Sequence, residues 1–172
     1  YSVIKWLMGI HKNLSIPYDD GNHTVFSRSG NLELLKLFVY NSYFNLNENF
    51  HQAIKYGYLD IVQFLIDNKF KCLDDERGYL KMYISATMSD SKDMFDYILQ
   101  LKPLEESLKY ESHSKYSLLI EGSCTFGNFE YVKIFVDFLL SNNIHFDYTN
   151  SFLSAINSYS VDICYYLLEK NV

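Results

Sequence analysis

The stretch that most constrains the fold is residues 53–66, which predicts the end of one helix, a stop at Gly57 and a second helix. In the second helix the polar residues Asp60, Gln63 and Asp67 are spaced by three and four, and the other positions from 59 to 66 are apolar. This spacing gathers the polar side chains into one narrow stripe, so neighbours must cover most of the helix surface. Gly57 is suited to end the first helix because glycine adopts the left-handed conformation without a steric penalty.

Weaker copies of this stretch recur along the chain, with turns at positions 30, 57, 90, 127 and 159. The chain has only three alanines, Ala53, Ala86 and Ala155, and each lies four residues before one of these turns. A small residue there lets two helices approach closely. Because one helix pair cannot bury its apolar faces alone, recurrence at intervals of 27 to 37 residues predicts several pairs stacked side by side.

The copy around Gly57 resembles a known family most closely. Phe50-His51-Gln52-Ala53 is similar to the Leu-His-x-Ala of the first helix of the ankyrin repeat, and Gly57-Tyr58-Leu59-Asp60-Ile61-Val62 is similar to its central turn. The resemblance covers nearly the whole chain. It departs from the family in lacking Thr-Pro in every copy, in having Asp90 and Tyr159 at the turn glycine, and in having Lys92 at a core leucine. It implies an all-α, ankyrin-type solenoid of stacked antiparallel helix pairs with short or absent β-hairpin fingers.

The repeats divide the chain into one array over residues 1–172. Its units are 1–15 (partial), 16–44, 45–72, 73–108, 109–145 and 146–172. The predicted helices span residues 1–10, 22–29, 32–42, 48–56, 59–68, 79–88, 91–101, 115–125, 128–141, 151–157 and 161–170. Asn47 and Asn150 are predicted N-caps, since asparagine side chains accept from the first N–H groups of a helix. Because the sequence opens and closes inside a unit, we expect a fragment of a longer array.

Composition limits the class of partner and the compartment. The 172 residues carry a net charge of −6, which is a poor match for a nucleic-acid backbone, so we expect no nucleic-acid partner. No stretch reaches the roughly 18 apolar residues of a membrane span, so we expect no membrane partner. Cys72, Cys124 and Cys164 are an odd set without a CxxC motif, which favours reduced thiols in a cytoplasmic or nuclear protein. We also expect a monomer.

No motif in the sequence indicates catalysis, a cofactor or a metal. None of the five histidines has another histidine or a cysteine three or four residues away, as helical metal motifs do. Cys124 has no activating signature beside it in the sequence. The acidic run 74–76 lacks the regular alternation and the glycine of a calcium loop. The sequence therefore predicts a chain that is not an enzyme, with no cofactor and no metal site.

The resemblance also implies where a partner binds. In the ankyrin family, fingers between repeats and the exposed side of the first helices form a concave surface, and here the fingers map to 18–22, 44–48, 74–77, 112–115 and 145–150. The candidate partner-binding residues within them are Tyr18, Asp20, Phe44, Asn47, Asp74, Asp75, Arg77, Phe146 and Tyr148. Aromatic side chains are enriched among the residues that dominate binding energy, and acidic ones steer a basic partner.

We therefore expect a protein–protein interaction module or scaffold that binds another protein through finger loops and the concave face. One alternative is the substrate-recruiting array of a larger enzyme or of a ubiquitin-ligase adaptor. A stand-alone hydrolase is a third hypothesis, although no group of convergent polar residues supports it. The structural alternative is a helical-pair solenoid without fingers, and the finger aromatics have the alternative role of packing finger against finger.

Overall fold

A computed structural model describes residues 28–39, 46–68, 76–101, 103–104 and 113–170. This part of the chain is helical, and it contains no β-strand. Its nine helices are α1 (Leu32–Phe38), α2 (Leu46–Lys55), α3 (Leu59–Asp67), α4 (Glu76–Thr87), α5 (Lys92–Leu101), α6 (His113–Thr125), α7 (Phe129–Ser141), α8 (Thr149–Asn157) and α9 (Val161–Glu169). The all-α prediction is confirmed. None of these helices is long and apolar enough to cross a membrane.

The helices contact one another in the order in which they follow along the chain. Four consecutive pairs, α2–α3, α4–α5, α6–α7 and α8–α9, each pack helix against helix. The first helices of these pairs also contact in series, α2 with α4, α4 with α6 and α6 with α8. Among the second helices, α1 contacts α3 and α7 contacts α9. Each pair therefore lies beside the next one.

The core runs along this series, between the first and second helices. The three alanines that precede the turns, Ala53, Ala86 and Ala155, are fully buried, as is Ser123 at the same position of the third described pair. In the second helices, the buried rows are Ile61, Met94, Tyr131 and Ile163, and then Leu65, Ile98, Phe135 and Leu167. Small side chains on the first helices thus face large side chains on the second helices across the core. The buried hydrophobic residues of this core form one cluster.

Most pairs turn through a residue in the left-handed conformation. The φ angle is +65° at Gly30, +73° at Gly57 and +68° at Gly127. At Gly57 the N–H of Tyr58 donates to the Ala53 carbonyl (2.9 Å) and the N–H of Gly57 donates to the Ile54 carbonyl (3.0 Å). These two bonds form a Schellman motif, which satisfies the last carbonyls of the helix. The turns predicted at these three glycines are confirmed.

The turn predicted at Asp90 has another structure. Asp90 is not among the residues with positive φ. Instead, the Ser89 hydroxyl accepts from the N–H of Ser91 (3.1 Å), and the Ser91 hydroxyl accepts from the N–H of Met94 in the first turn of α5 (3.2 Å). Two serine side chains therefore provide the bonds at this turn, so no glycine is required.

Polar side chains at the turns also bond to the preceding pair. The Asn128 side-chain amide donates to the carbonyl of Thr87 at the end of α4 (2.7 Å). The Ser158 hydroxyl donates to the carbonyl of Cys124 near the end of α6 (2.7 Å). Tyr58 makes a similar bond from its hydroxyl to the carbonyl of Arg28 (3.1 Å). These bonds fix how far one pair can slide along the next, because each uses a helix-end carbonyl at a defined position.

We predict that Gly57→Ala lowers the free energy of unfolding by about 2–4 kcal/mol, since left-handed φ costs a residue with a Cβ and the added atom is crowded. A Cβ built at Gly57 lies 2.9 Å from Cβ of Ser91 and 3.2 Å from Oγ of Ser89, in the next turn. Urea unfolding followed by circular dichroism measures the loss. The control Asp90→Ala should change stability by less than about 0.5 kcal/mol. Equal losses for the two variants would contradict the left-handed turn at Gly57.

Tyr159 occupies the glycine position of the last turn and adopts a φ of +56°. Its side chain is 90% exposed, so it makes little packing contact to offset the strain. We predict that Tyr159→Gly raises the free energy of unfolding by up to about 1 kcal/mol, because relief of the left-handed strain exceeds the entropy cost of glycine. Tyr159→Ala should give no such gain, since alanine keeps the Cβ. Equal stability of the glycine and alanine variants, measured by thermal unfolding, would refute this prediction.

The first helix of each pair begins two or three residues earlier than the sequence predicted. α2 begins at Leu46 rather than 48, α4 at Glu76 rather than 79, α6 at His113 rather than 115 and α8 at Thr149 rather than 151. The prediction for α4 placed Gly78 in a loop, but one glycine costs a helix only about 1 kcal/mol. Asn47 and Arg77 were therefore wrongly placed in the connections, and they lie in the first turns of α2 and α4.

The predicted N-caps are wrong for the same reason. Asn47 lies inside α2, and Asn150 lies inside α8. At α8 the N-cap is Tyr148, which makes no side-chain capping bond, and the Asp147 carboxylate just before it accepts from the N–H of Thr149 (2.9 Å). A carboxylate at this end also interacts favourably with the positive end of the helix dipole. The helix therefore starts directly after Tyr148.

Candidate interaction surface

The structure describes four of the nine candidate partner-binding residues. Asn47 and Arg77 are on helices, and Phe146 and Tyr148 lie in the irregular segment 144–148 between α7 and α8. The other five, Tyr18, Asp20, Phe44, Asp74 and Asp75, lie outside the described residues. Asn47 is exposed. The only predicted finger that is fully described is therefore the one before α8.

Segment 144–148 begins at a sharp end of α7. Asn143 has a φ of +54°, and the N–H of Ile144 donates to the Leu139 carbonyl (2.9 Å). The segment then runs to α8 without forming a β-strand. Segment 144–148 is thus a short, irregular connection between α7 and α8.

The two aromatic residues of this finger have different surroundings. The rings of Phe146 and Tyr148 meet edge to face, with centroids 6.4 Å apart. Phe146 is half-buried and packs against the hydrophobic core, whereas Tyr148 is half-buried and is not among the residues packed there. Between them Asp147 is exposed, and its hydrogen bonds to Thr149 lower the pKa of its carboxyl. Phe146 therefore anchors the segment, whereas Tyr148 and Asp147 are its candidate groups for contact with a partner.

A second candidate surface lies on the first helices. On each first helix, the side chain five residues before the small buried residue faces away from the core. We call these four outward-facing side chains the first-helix row. Its members are Glu48 on α2, Lys81 on α4, Leu118 on α6 and Asn150 on α8. Because α2, α4, α6 and α8 contact in series, the four positions follow one another across the molecule. Leu118, with 46% of its surface exposed, is the apolar member of the row.

The charged end of the first-helix row is held in place by hydrogen bonds. The Lys81 ammonium lies 3.1 Å from the Glu48 carboxylate across the junction of α2 and α4. The Gln52 side-chain amide donates to the same carboxylate (2.8 Å). The bond from Gln52 and then the attraction of Lys81 lower the pKa of Glu48. The row therefore presents a fixed charge pair followed by an apolar side chain and an amide.

None of the four residues of the first-helix row was among the nine candidate partner-binding residues. The alanines indicate three of its positions in the sequence. Glu48, Lys81 and Asn150 lie five residues before Ala53, Ala86 and Ala155, respectively. Recognising it required knowing that the first helices contact in series, so that equivalent positions become neighbours. Only Asn47 among the nine predicted residues lies beside it in the sequence, one residue before Glu48.

The opposite side of the molecule carries contacts between tyrosines and acids of neighbouring pairs. The Tyr166 hydroxyl on α9 donates to the Asp137 carboxylate on α7 (2.9 Å), and the Lys170 ammonium lies 3.2 Å from the same oxygen. Burial and then the bond to Asp137 raise the pKa of Tyr166. Burial, followed by nearby acidic side chains, likewise raises the pKa of Tyr97 and of Tyr131. These tyrosines stay protonated in the folded chain at a pH where they would ionise when unfolded.

We predict that stability falls as the pH rises through about 10. A group whose folded pKa is raised holds its proton more tightly in the folded state, so its contribution is complete below the unfolded pKa, which is near 10 for tyrosine, and is lost above it. In urea unfolding from pH 8 to 11, Tyr166→Phe should show a shallower decline than the unsubstituted chain. Tyr56→Phe, at a partly exposed position, is the control and should follow the unsubstituted chain. A decline unchanged by Tyr166→Phe would contradict the assignment.

The thiols of this part of the chain are placed for packing. Cys124 on α6 is fully buried and free, and Cys164 on α9 is half-buried and free. Burial, followed by the nearby Cys164 and Glu121, raises the pKa of Cys124 to about 12. A thiol with this pKa is almost entirely protonated at neutral pH, and the thiolate is the reactive form. Cys124 is therefore a core residue, while Cys72 lies outside the described residues.

Histidine, cysteine and carboxylate side chains do not gather into groups of three or more that could hold a metal ion anywhere in the described ranges. What these ranges offer is an exposed surface of mixed apolar and charged character, and such a surface can bind another macromolecule.

No protein-family model matches the sequence, and no curated protein or solved structure matches it either.

Proposed function

We propose that the chain is an ankyrin-type solenoid that works as a protein–protein interaction module, with no catalytic role of its own. Helix pairs packed in chain order, with left-handed glycines at the turns of α2–α3 and α6–α7, support the ankyrin-type arrangement. The first-helix row carries the functional part of the proposal. It places an exposed leucine between a lysine and an asparagine on consecutive helices, next to the finger that offers Tyr148 and Asp147 to a partner.

This arrangement suits a protein partner. Protein interfaces commonly have an apolar centre, to which aromatic residues contribute strongly, inside a polar rim. Leu118 and Tyr148 supply the apolar contacts, and Lys81, Asn150 and Asp147 supply polar groups around them. The net charge of −6 favours a partner with a basic surface, because opposite charges accelerate association. A cytoplasmic or nuclear location fits the reduced thiols of this proposal.

A capture experiment tests this function. The immobilised chain is incubated with a cell extract, and the retained proteins are identified and quantified by mass spectrometry. Leu118→Lys and Tyr148→Ala should each reduce retention of the same proteins by at least about tenfold, which corresponds to roughly 1.4 kcal/mol of binding energy.

The matched control is Ile134→Lys, which changes an exposed apolar residue on α7 instead. This variant should retain the partner proteins as the unsubstituted chain does. Circular dichroism must show that all variants keep their helical content. If Leu118→Lys and Tyr148→Ala retained the same proteins at the same level as the control, the first-helix row and the finger would not form the binding surface.

A further inference from the structure

One half-buried carboxylate on the first helices is not paired. Glu121 lies on α6, three residues after Leu118, so the two side chains are neighbours on the helix surface. Among the described residues, no hydrogen-bond donor or cation pairs with the Glu121 carboxylate. The helix offers no cation three or four residues away, where it carries Ser117, Leu118, Cys124 and Thr125. Glu121 is therefore a charge that its own helix does not neutralise.

A second half-buried glutamate on the first helices shows the opposite situation. The Glu48 carboxylate lies 3.1 Å from the Lys81 ammonium and accepts from the Gln52 side-chain amide at 2.8 Å. Without such bonds, partial burial removes hydration from a carboxylate and puts nothing in its place. Glu121 also lies about one turn before the carboxyl end of α6, where the helix dipole disfavours a negative charge. The stability of the chain therefore gives no reason for a glutamate here.

The place of Glu121 in its pair is also unusual for a charge. It lies two residues before the small buried residue of its pair. The equivalent residue on α2 is His51, which is buried, and on α4 it is Ile84, which packs against the hydrophobic core. α6 thus carries a carboxylate where the two preceding first helices carry residues packed in or against the core. Residues that break the pattern of a fold without a gain in stability are typical of functional sites.

Neighbouring first helices leave the Glu121 carboxylate open to a cation from another molecule. α8, which contacts α6, contains no charged residue between Thr149 and Asn157. On α4, which contacts α6 on the other side, Lys81 is bonded to Glu48 instead. Leu118 beside Glu121 is 46% exposed. An exposed apolar side chain and an unpaired carboxylate therefore lie next to each other on α6.

We infer that Glu121 binds a lysine or arginine side chain of the partner protein, beside an apolar side chain of the partner that covers Leu118. The inference rests on the proposed function, because it assigns the chemistry of the partner at the same surface. A carboxylate accepts charge-assisted hydrogen bonds from an ammonium or guanidinium group, and these strengthen when an apolar contact excludes water. The net charge of −6 attracts a basic partner from a distance.

Fluorescence polarisation with two pools of short labelled peptides tests the inference. Every peptide carries a central leucine and a second fixed residue, which is arginine in one pool and glutamate in the other. The fixed residues are separated so that they reach the roughly 5–6 Å between neighbouring side chains on one helix turn. The unsubstituted chain should bind the arginine pool at least about tenfold more tightly than the glutamate pool, as expected for a charge-assisted hydrogen bond.

Three variants locate the source of this preference. Glu121→Gln should reduce it to less than about threefold, and Glu121→Lys should reverse it. The matched control Asp93→Asn removes the same charge from an exposed position on α5 and should keep the preference. This control separates a local contact at Glu121 from the attraction exerted by the net charge.

Equal binding of the two pools by the unsubstituted chain would overturn the inference, as would a preference that survives Glu121→Gln. Leu118→Ser separates this result from a failure of the proposed function. If Leu118→Ser weakened the binding of both pools, the interaction surface would stand and only the role of Glu121 would fall. Binding of neither pool would also overturn the inference, and capture from the cell extract would then decide the proposed function by itself.

Unfolding temperatures distinguish a binding role of Glu121 from a structural one. Glu121→Gln should not lower the unfolding temperature, because the carboxylate has no bond to lose. Glu48→Gln should lower it by about 1–2 °C, since Lys81 and Gln52 lose a charged partner. A lower unfolding temperature for Glu121→Gln would show that this carboxylate stabilises the fold, and the inference would be wrong.

Discussion

Replacing Leu65 by aspartate should unfold the part of the chain around α2 and α3. The cooperative unfolding transition of this part should therefore disappear. Leu65 is fully buried on α3, in the row of large side chains that fills the core. A carboxylate at this position has no partner and must either lose its hydration or take up a proton, at a cost of several kcal/mol. Since domains of this size are stabilised by only about 5–15 kcal/mol, the region should unfold. Circular dichroism during urea unfolding measures the effect.

The control for Leu65→Asp is Gln63→Asp on the same helix. Gln63 is exposed, and the substitution should change the free energy of unfolding by less than about 0.5 kcal/mol. The Leu65 variant should keep part of its helical signal, because α6 to α9 contact one another and each pair in a series depends mainly on its neighbours. A Leu65→Asp variant that melted cooperatively near the midpoint of the unsubstituted chain would show that α3 does not pack as described.

Phe95→Ala should cost about 3–5 kcal/mol, the second-largest effect we expect from one substitution. Phe95 on α5 is fully buried, and its ring stacks on Tyr131 of α7 with centroids 3.8 Å apart and an angle of 13° between planes. It also meets the edge of Phe135 at 5.8 Å. Truncation would leave a cavity at the junction of two pairs and remove both aromatic contacts.

The control for this position is Phe95→Leu, which keeps most of the apolar volume and should cost less than about 2 kcal/mol. Urea unfolding gives both values. A loss below about 1 kcal/mol for Phe95→Ala would mean that the ring is not enclosed between α5 and α7. Because Phe95 joins two pairs, the effect also reports on the contact between them.

Sequence periodicity was sufficient to predict the second helices and most turns. α3 was predicted over 59–68 and spans Leu59–Asp67, because its polar stripe identifies a helix buried on most sides. The glycines at 30, 57 and 127 identified the left-handed turns, since few other residues adopt that conformation. These features follow from the local preferences of the residues that form them, so they can be predicted from a single sequence.

Three other features could not be predicted from the sequence periodicity. α8 begins two residues before the predicted position, with Tyr148 as N-cap and the Asp147 carboxylate bonded to the N–H of Thr149, whereas the sequence favoured Asn150 as the cap. The left-handed Tyr159 contradicts the residue preference at that position. The first-helix row becomes visible only after the series of contacts among the first helices is known. Of the nine candidate site residues, five lie outside the described residues, and the partner-binding role of all nine stays a prediction.

The most direct test of the stacked helix pairs is a NOESY spectrum of the chain with labelled Phe and Tyr rings. Two junctions place rings of different pairs in contact: Phe95 with Tyr131, and Phe129 with Tyr166 at 5.6 Å between centroids. We expect strong ring-to-ring cross-peaks for both. If the helices were protected from hydrogen exchange but neither cross-peak appeared, the pairs would fold without stacking, and the proposed solenoid would be wrong.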